Sequence, residues 1–162
     1  ELDGGMILSN DGTVYVEQPE QEPDVDQIRT AKLAEVSSRC ESAIFAGVDV
    51  ELTDGSVEHI SLKEKDQINL FGKQSQLAAG ATQLEYHEDG KLCKYYSAED
   101  MTKIIEAAMK FVSYHTTYCN SMNAWIKGAQ TAEEIEAIQY GTQIPDKYKS
   151  KVLKDYEAAM GA

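Results

Sequence analysis

Basic residues are scarce in this 162-residue chain: 15 lysines and arginines stand against 28 aspartates and glutamates, a formal net charge of -13. A field of that sign repels phosphate backbones, and no basic stripe overrides it locally, so nucleic acid is excluded as an expected partner. Cysteine is scarce too. Cys40, Cys93 and Cys119 form an odd set without paired spacing. That speaks against a disulfide framework or a zinc knuckle, and predicts small buried apolar residues in a chain made in a reducing cytoplasm. No apolar run nears the ~20 residues that a membrane-spanning helix needs, and no signal peptide opens the chain, so no membrane insertion is expected. Phosphate-cradling glycine loops and a Gly-x-Ser-x-Gly nucleophile setting are also missing.

What remains is an ordinary globular balance, 42% hydrophobic and 27% charged, in a length suited to one domain with a real core. Residues 1–27 stand apart. Met6-Ile7-Leu8 and Val14-Tyr15-Val16 flank an Asp11-Gly12 turn signal and predict a short hairpin. Glu17 to Asp24, acidic and holding Pro19 and Pro23, predicts a linker. Residues 28–162 are then one mainly helical domain with two hairpins. The fold class is α+β, mainly α: helix, hairpin, helix, hairpin, long helix, two short helices.

Within it, Leu33, Val36, Cys40 and Ile44 make the apolar stripe of a first helix from Val25 to about Ala46, with Arg29, Lys32, Glu35 and Arg39 mostly off that stripe. Gly47 ends it. Val48 to Leu52 and Val57 to Leu62 form a hairpin whose apolar parities disagree, Val57 against Ile60 and Leu62, which predicts a bulge. Ser61 and Glu64 predict the cap of a second helix over about 62–79, with Ile68, Phe71, Ser75 and Ala78 on its buried side and Leu70 and Leu77 adjoining. An Asp89-Gly90 turn sets the second hairpin with Tyr86 opposite Cys93 and Leu84 opposite Tyr95. Ser97, with Asp100, caps the longest helix. Its stripe Met101, Ile104, Ile105, Ala108, Val112, His115, Cys119, Met122 and Ile126 runs to about Gly128, a rod of about 45 Å, with weak helix formers over Ser113–Tyr118 that permit a kink. Thr131 and Glu134 cap a fourth helix, and Pro145 opens a last one through Tyr148, Val152 and Tyr156.

Chemistry-bearing residues do not converge in the sequence. His59, His87 and His115 lack metal-ligand spacing. His115 and Cys119 lie one turn apart on the apolar stripe, a spacing any two core residues share, and a buried imidazole is expected to bond backbone or a tyrosine. Asp49, Glu51, Asp54 and Glu58 lack the ordered spacing of a calcium loop. No catalytic, cofactor-binding or metal-ligating residues are assigned, no cofactor is expected, and the chain is expected not to be an enzyme. Nine tyrosines are present, and Tyr86, Tyr95 and Tyr96 on one hairpin are the candidate ligand or partner surface.

Several segments resemble a known family: Gly47 to Leu52 with Ser61-Leu62, Asp66-Gln67-Ile68-Asn69-Leu70, Tyr86 to Gly90, Tyr96 to Asp100, and Tyr114 to Ser121. In this order, over about 28–155, they resemble an uncharacterised domain of tail-fibre and baseplate-region proteins of tailed phages and prophages. The resemblance implies a non-enzymatic structural virion component in the tail, synthesised in the host bacterial cytoplasm. Its partners would be other tail proteins and copies of itself, a trimer by analogy with fibres. Alternatives within the same setting are a receptor-binding module for a host surface glycan or protein, and a tail assembly chaperone.

Overall fold

A computed structural model describes residues 6–8, 14–16 and 24–161. Strands β1 (Met6–Leu8) and β2 (Val14–Val16) pair antiparallel with Ile7 opposite Tyr15, the expected hairpin. Its turn, residues 9–13, and the linker over 17–23 lie outside the described residues. The order that follows is α1 (Val25–Phe45), β3 (Val48–Glu51), β4 (Val57–Ile60), α2 (Glu64–Ala78), β5 (Gln83–Tyr86), β6 (Lys94–Ser97), α3 (Ala98–Gly128), α4 (Ala132–Glu136), a single 3-10 turn (Asp146–Tyr148) and α5 (Lys151–Met160). This is the expected mainly helical α+β succession.

Helix α3 is the spine. Ser97 accepts a hydrogen bond from the Asp100 N–H at 3.0 Å, and the helix runs 31 residues without a break at Ser113–Tyr118. Its first half buries Met101, Ile104, Ile105 and Ala108 against the two hairpins and Leu70 of α2. Its second half buries Cys119, Met122 and Ile126 against Val36 of α1, Ile135 of α4, Ile138 and Ile144 beyond it, and Leu153 of α5. Each fully buried aliphatic side chain contributes about 1.5–3 kcal/mol, so the expected stripe holds both cores together.

Arg29 turns inward, contrary to the expectation that it lies off the packed stripe. Its guanidinium donates to the Ile126 and Ala129 carbonyls at 2.9 and 2.8 Å, filling acceptors left open where α3 ends. Cys40 and Cys119 are bonded as a disulfide across α1 and α3. This corrects the expectation of free thiols: 79 residues separate the pair in sequence, and only helix packing brings them together. Cys93 is exposed rather than buried.

Both hairpins depart from their expected faces. In the first, Val48 lies opposite Ile60 and Val50 opposite Glu58, so no bulge is needed; Val57 faces out and Glu58 faces in. In the second, Leu84 pairs with Tyr96 and Tyr86 with Lys94, one residue away from the expected register. The link is the whole segment 87–93 rather than a two-residue turn, and a one-residue slip moves every side chain to the other face. Helix α2 starts after Lys63, whose N–H donates to Asp66 at 3.2 Å, not at a Ser61–Glu64 box. Leu70 and Leu77, expected only beside the buried side, face the core, and Ile68 and Phe71, expected at its centre, face outward. The last helix begins at Lys151, capped by Ser150 past the 3-10 turn that follows Pro145, and buries Leu153 rather than Val152.

Candidate functional site

The two hairpins meet at a buried carboxylate. Glu58 sits on the inward face of β4 because its neighbours Val50 and Ile60 must face the core, and it is 5% exposed. A charge there needs partners. Tyr96, inward on β6, donates its hydroxyl to Glu58 Oε2 at 2.5 Å, and the Lys94 ammonium pairs with Oε1. Burial first, then the Glu58 contact, pushes the Tyr96 phenol well above its ordinary range, and the Glu58 bond raises Lys94. The Asp89 N–H adds a backbone bond to the His59 carbonyl at 2.9 Å. Together these groups make a fastening between hairpins: a buried carboxylate with each oxygen engaged, one by an ammonium and one by a phenol, holds the two hairpins in register.

His59 forms a second joint. Its Nδ1 lies 2.7 Å from Asp49 Oδ1 and its Nε2 lies 2.7 Å from the Ala46 carbonyl at the end of α1. Two acceptors on two ring nitrogens require both to carry protons, so the imidazolium fits the site, and the Asp49 bond raises its pKa. A third joint is Asp100, which accepts from the Thr53 N–H at 2.8 Å while engaging Ser97; the Thr53 bond lowers its carboxyl pKa.

The candidate surface of Tyr86, Tyr95 and Tyr96 is not one surface. Tyr86 and Tyr96 are buried in the core, the former with its phenol pushed up to about 12 by burial, and Tyr95 alone is exposed, at 72%. The register slip is the cause: the buried face takes Leu84, Tyr86 and Tyr96, and leaves Tyr95 beside Glu85 on the outer one. Leu92 and Cys93 are exposed on the same hairpin.

His115 and Cys119 do not act as a pair, since Cys119 is bonded to Cys40 and His115 Nδ1 meets the Tyr140 hydroxyl at 3.0 Å. Burial lowers the His115 pKa, which keeps the ring neutral among Phe111, Tyr114 and Tyr140. His87 Nδ1 faces the Glu88 carbonyl. Three acidic residues of the first hairpin are separately engaged, Asp49 with His59, Asp54 with Ser56, and Glu58 as above, and Glu51 is exposed on the outer face. Among the described residues, no three His, Cys, Asp or Glu side chains are grouped to hold a metal ion. A cleft of about 80 Å³ lies between α2 and α3, lined by Leu62, Leu70, Phe71, Ile105, Met109 and Val112. It offers shape and apolar contact without an ionisable group. The roles of Glu58, Arg29 and the disulfide escaped the sequence.

The chain matches, over residues 27–140, a family described as a domain of unknown function, DUF4376, and it belongs to that family. No curated protein and no solved structure matches it.

Proposed function

We propose that this DUF4376 chain is a non-enzymatic structural component of a phage or prophage tail, a fibre or baseplate-associated subunit made in the host cytoplasm and carried in the virion. The observation that carries the proposal is where the tail-like segments fall in the fold. Asp66 holds the start of α2, Tyr86 and Tyr96 fill the core, Ser97 and Asp100 start α3, and Cys119 staples α3 to α1. Residues placed at joints and caps specify a rigid body, and the polar groups among them are spent on holding it. The Cys40–Cys119 bond suits a protein that ends in a released particle, outside the reducing cytoplasm. Its partners are other tail proteins and further copies of itself.

Quantitative mass spectrometry of purified particles tests this. A fixed stoichiometric copy number is the expected result; presence in infected cells together with absence from particles would replace the structural role with that of an assembly chaperone. A second reading, recognition of a host surface glycan or protein, is favoured by exposed Tyr95 and Leu92 at the hairpin tip. It predicts that the chain binds host cells and that Tyr95→Ala abolishes binding without changing thermal stability; unchanged binding removes it.

A further inference from the structure

The 3-10 turn and the start of α5 meet the second half of α3 along an open groove of about 480 Å³, a volume within the range of small-molecule sites. Packing sets its walls. Tyr148 lays its ring against Gly128, the last residue of α3, where a Cβ would come within 2.4 Å of the phenol oxygen; the glycine gives the ring its place. That docking puts Lys147 and Ser150 on one side of the groove and leaves Asn120 and Ser121 of α3 on the other.

Three kinds of group along it lack a partner. Ser121 is 4% exposed, yet among the described residues nothing hydrogen-bonds its hydroxyl, and the hydroxyl is not sealed from the groove it lines. A polar group buried without a bond is costly, and a ligand that bonds it recovers the loss. At the start of α5, Ser150 caps the Leu153 N–H at 3.1 Å and its carbonyl takes the Lys154 N–H. The Lys151 and Val152 N–H groups are left open at the positive end of the helix dipole, with no acidic side chain in that turn. Lys147 is the third. Its ammonium lies over the Tyr148 ring at 4.7 Å, and no carboxylate of the described residues pairs with it, whereas Lys149, Lys151 and Lys154 each have one.

Charge decides what fits. The chain carries -13, yet no carboxylate lines this groove; grooves elsewhere hold Glu35 with Glu136, or Glu41 with Glu64. We infer that the groove between α3 and α5 binds a phosphate group carried on a sugar or another polyol. The phosphate oxygens take the Lys147 ammonium and the open N–H groups of α5, and the hydroxyl-bearing part lies along Asn120 and Ser121. Donors converging from two directions suit a tetrahedral oxyanion with three terminal oxygens better than a planar carboxylate with two. One unpaired cation is too few to hold a nucleic-acid backbone against the field of the whole chain. Nothing in this site depends on the tail role, because the purified chain alone displays it.

Amide-resolved NMR of the full oxidised chain at constant ionic strength tests it with glucose 6-phosphate, inorganic phosphate and glucose. Glucose 6-phosphate is expected to shift the Ser121, Lys151 and Val152 amides saturably, with a Kd of about 0.1–10 mM for a site of few contacts. Inorganic phosphate should shift the two α5 amides with at least ~3-fold weaker affinity, and glucose should bind at least ~10-fold more weakly than its phosphate ester. Ser121→Ala should weaken glucose 6-phosphate ~3-fold or more and leave inorganic phosphate unchanged, while Lys147→Gln should weaken both ~10-fold. Val152→Glu places a carboxylate at a 54% exposed position in the first turn of α5, where it favours the helix, and should abolish binding with no fall in melting temperature. No saturable shift up to ~50 mM, shifts confined to other elements, equal affinity for glucose 6-phosphate and inorganic phosphate, or full binding by Val152→Glu would each overturn the assignment.

Discussion

Gly47→Ala isolates a joint on which the first hairpin depends. Gly47 has φ +84°, and a Cβ there would lie 2.4 Å from the Ile60 carbonyl oxygen and 2.8 Å from His59 Nε2. The left-handed backbone alone costs an alanine about 1–2 kcal/mol. Relieving the contact with Ile60, a backbone atom that cannot rotate away, means opening the first rung of the β3–β4 ladder where Val48 faces Ile60. That loses one or two backbone hydrogen bonds at about 0.5–1.5 kcal/mol each and displaces the His59 bond to Ala46. The expected total is about 3–5 kcal/mol, a fall in Tm of roughly 6–20 °C for a chain of this size. Gly55→Ala is the control, because φ is +83° there and no atom of the described residues lies within 4 Å of the added Cβ. It should show the backbone cost only, about 1–2 kcal/mol. Urea denaturation of the oxidised chain followed by circular dichroism measures both. Equal destabilisation by the two substitutions would refute the close approach of α1's end to β4.

Further outcomes follow from the other joints. Tyr96→Phe leaves the buried Glu58 carboxylate one donor short and should cost about 1.5–3 kcal/mol in urea denaturation, with Tyr95→Phe close to neutral; the reverse order would contradict the assigned register. His59 carries a raised folded-state pKa from its bond to Asp49, so its contribution is fully present below the unfolded value of about 6.5 and is lost as pH rises through the folded value. Stability of the wild type relative to His59→Gln should therefore be greater at pH 6 than at pH 9. The ring is 43% exposed, so solvent screening keeps the effect small, and a difference that is flat with pH would remove the imidazolium. Reducing Cys40–Cys119 frees a closure spanning 79 residues and should lower stability by about 2–4 kcal/mol; an intact mass without the two-hydrogen deficit of a disulfide would disprove the bond.

The helical skeleton was legible in the sequence because helix signals are local. Stripes at 3.6-residue spacing marked α1 and α3, and the Ser97–Asp100 and Thr131–Glu134 pairs marked two starts within a residue. Faces were harder. The hairpin register turned on one residue: Asp89-Gly90 is a strong turn signal, yet Tyr96 can bond Glu58 only if it faces inward, and that partner lies 38 residues upstream. Helix α2 misled for a different reason. Its most regular apolar stripe, Ile68-Phe71-Ser75-Ala78, faces away from this chain's core, and periodicity does not say which of two apolar sides the core takes. Cysteine count argued for free thiols, but pairing depends on α1 lying along α3, which no spacing encodes. Arg29 looked like a solvated charge because its acceptors are backbone carbonyls about 100 residues away.

The structural role itself is tested most directly by locating the chain in an intact particle. An antibody fragment raised against the exposed Leu92–Tyr95 tip, imaged by electron microscopy on purified virions, should decorate a fixed site on the tail at constant copy number, and no decoration should appear on the capsid. Particles of full infectivity that remain undecorated, while the same fragment captures the chain from the lysate that produced them, would contradict it.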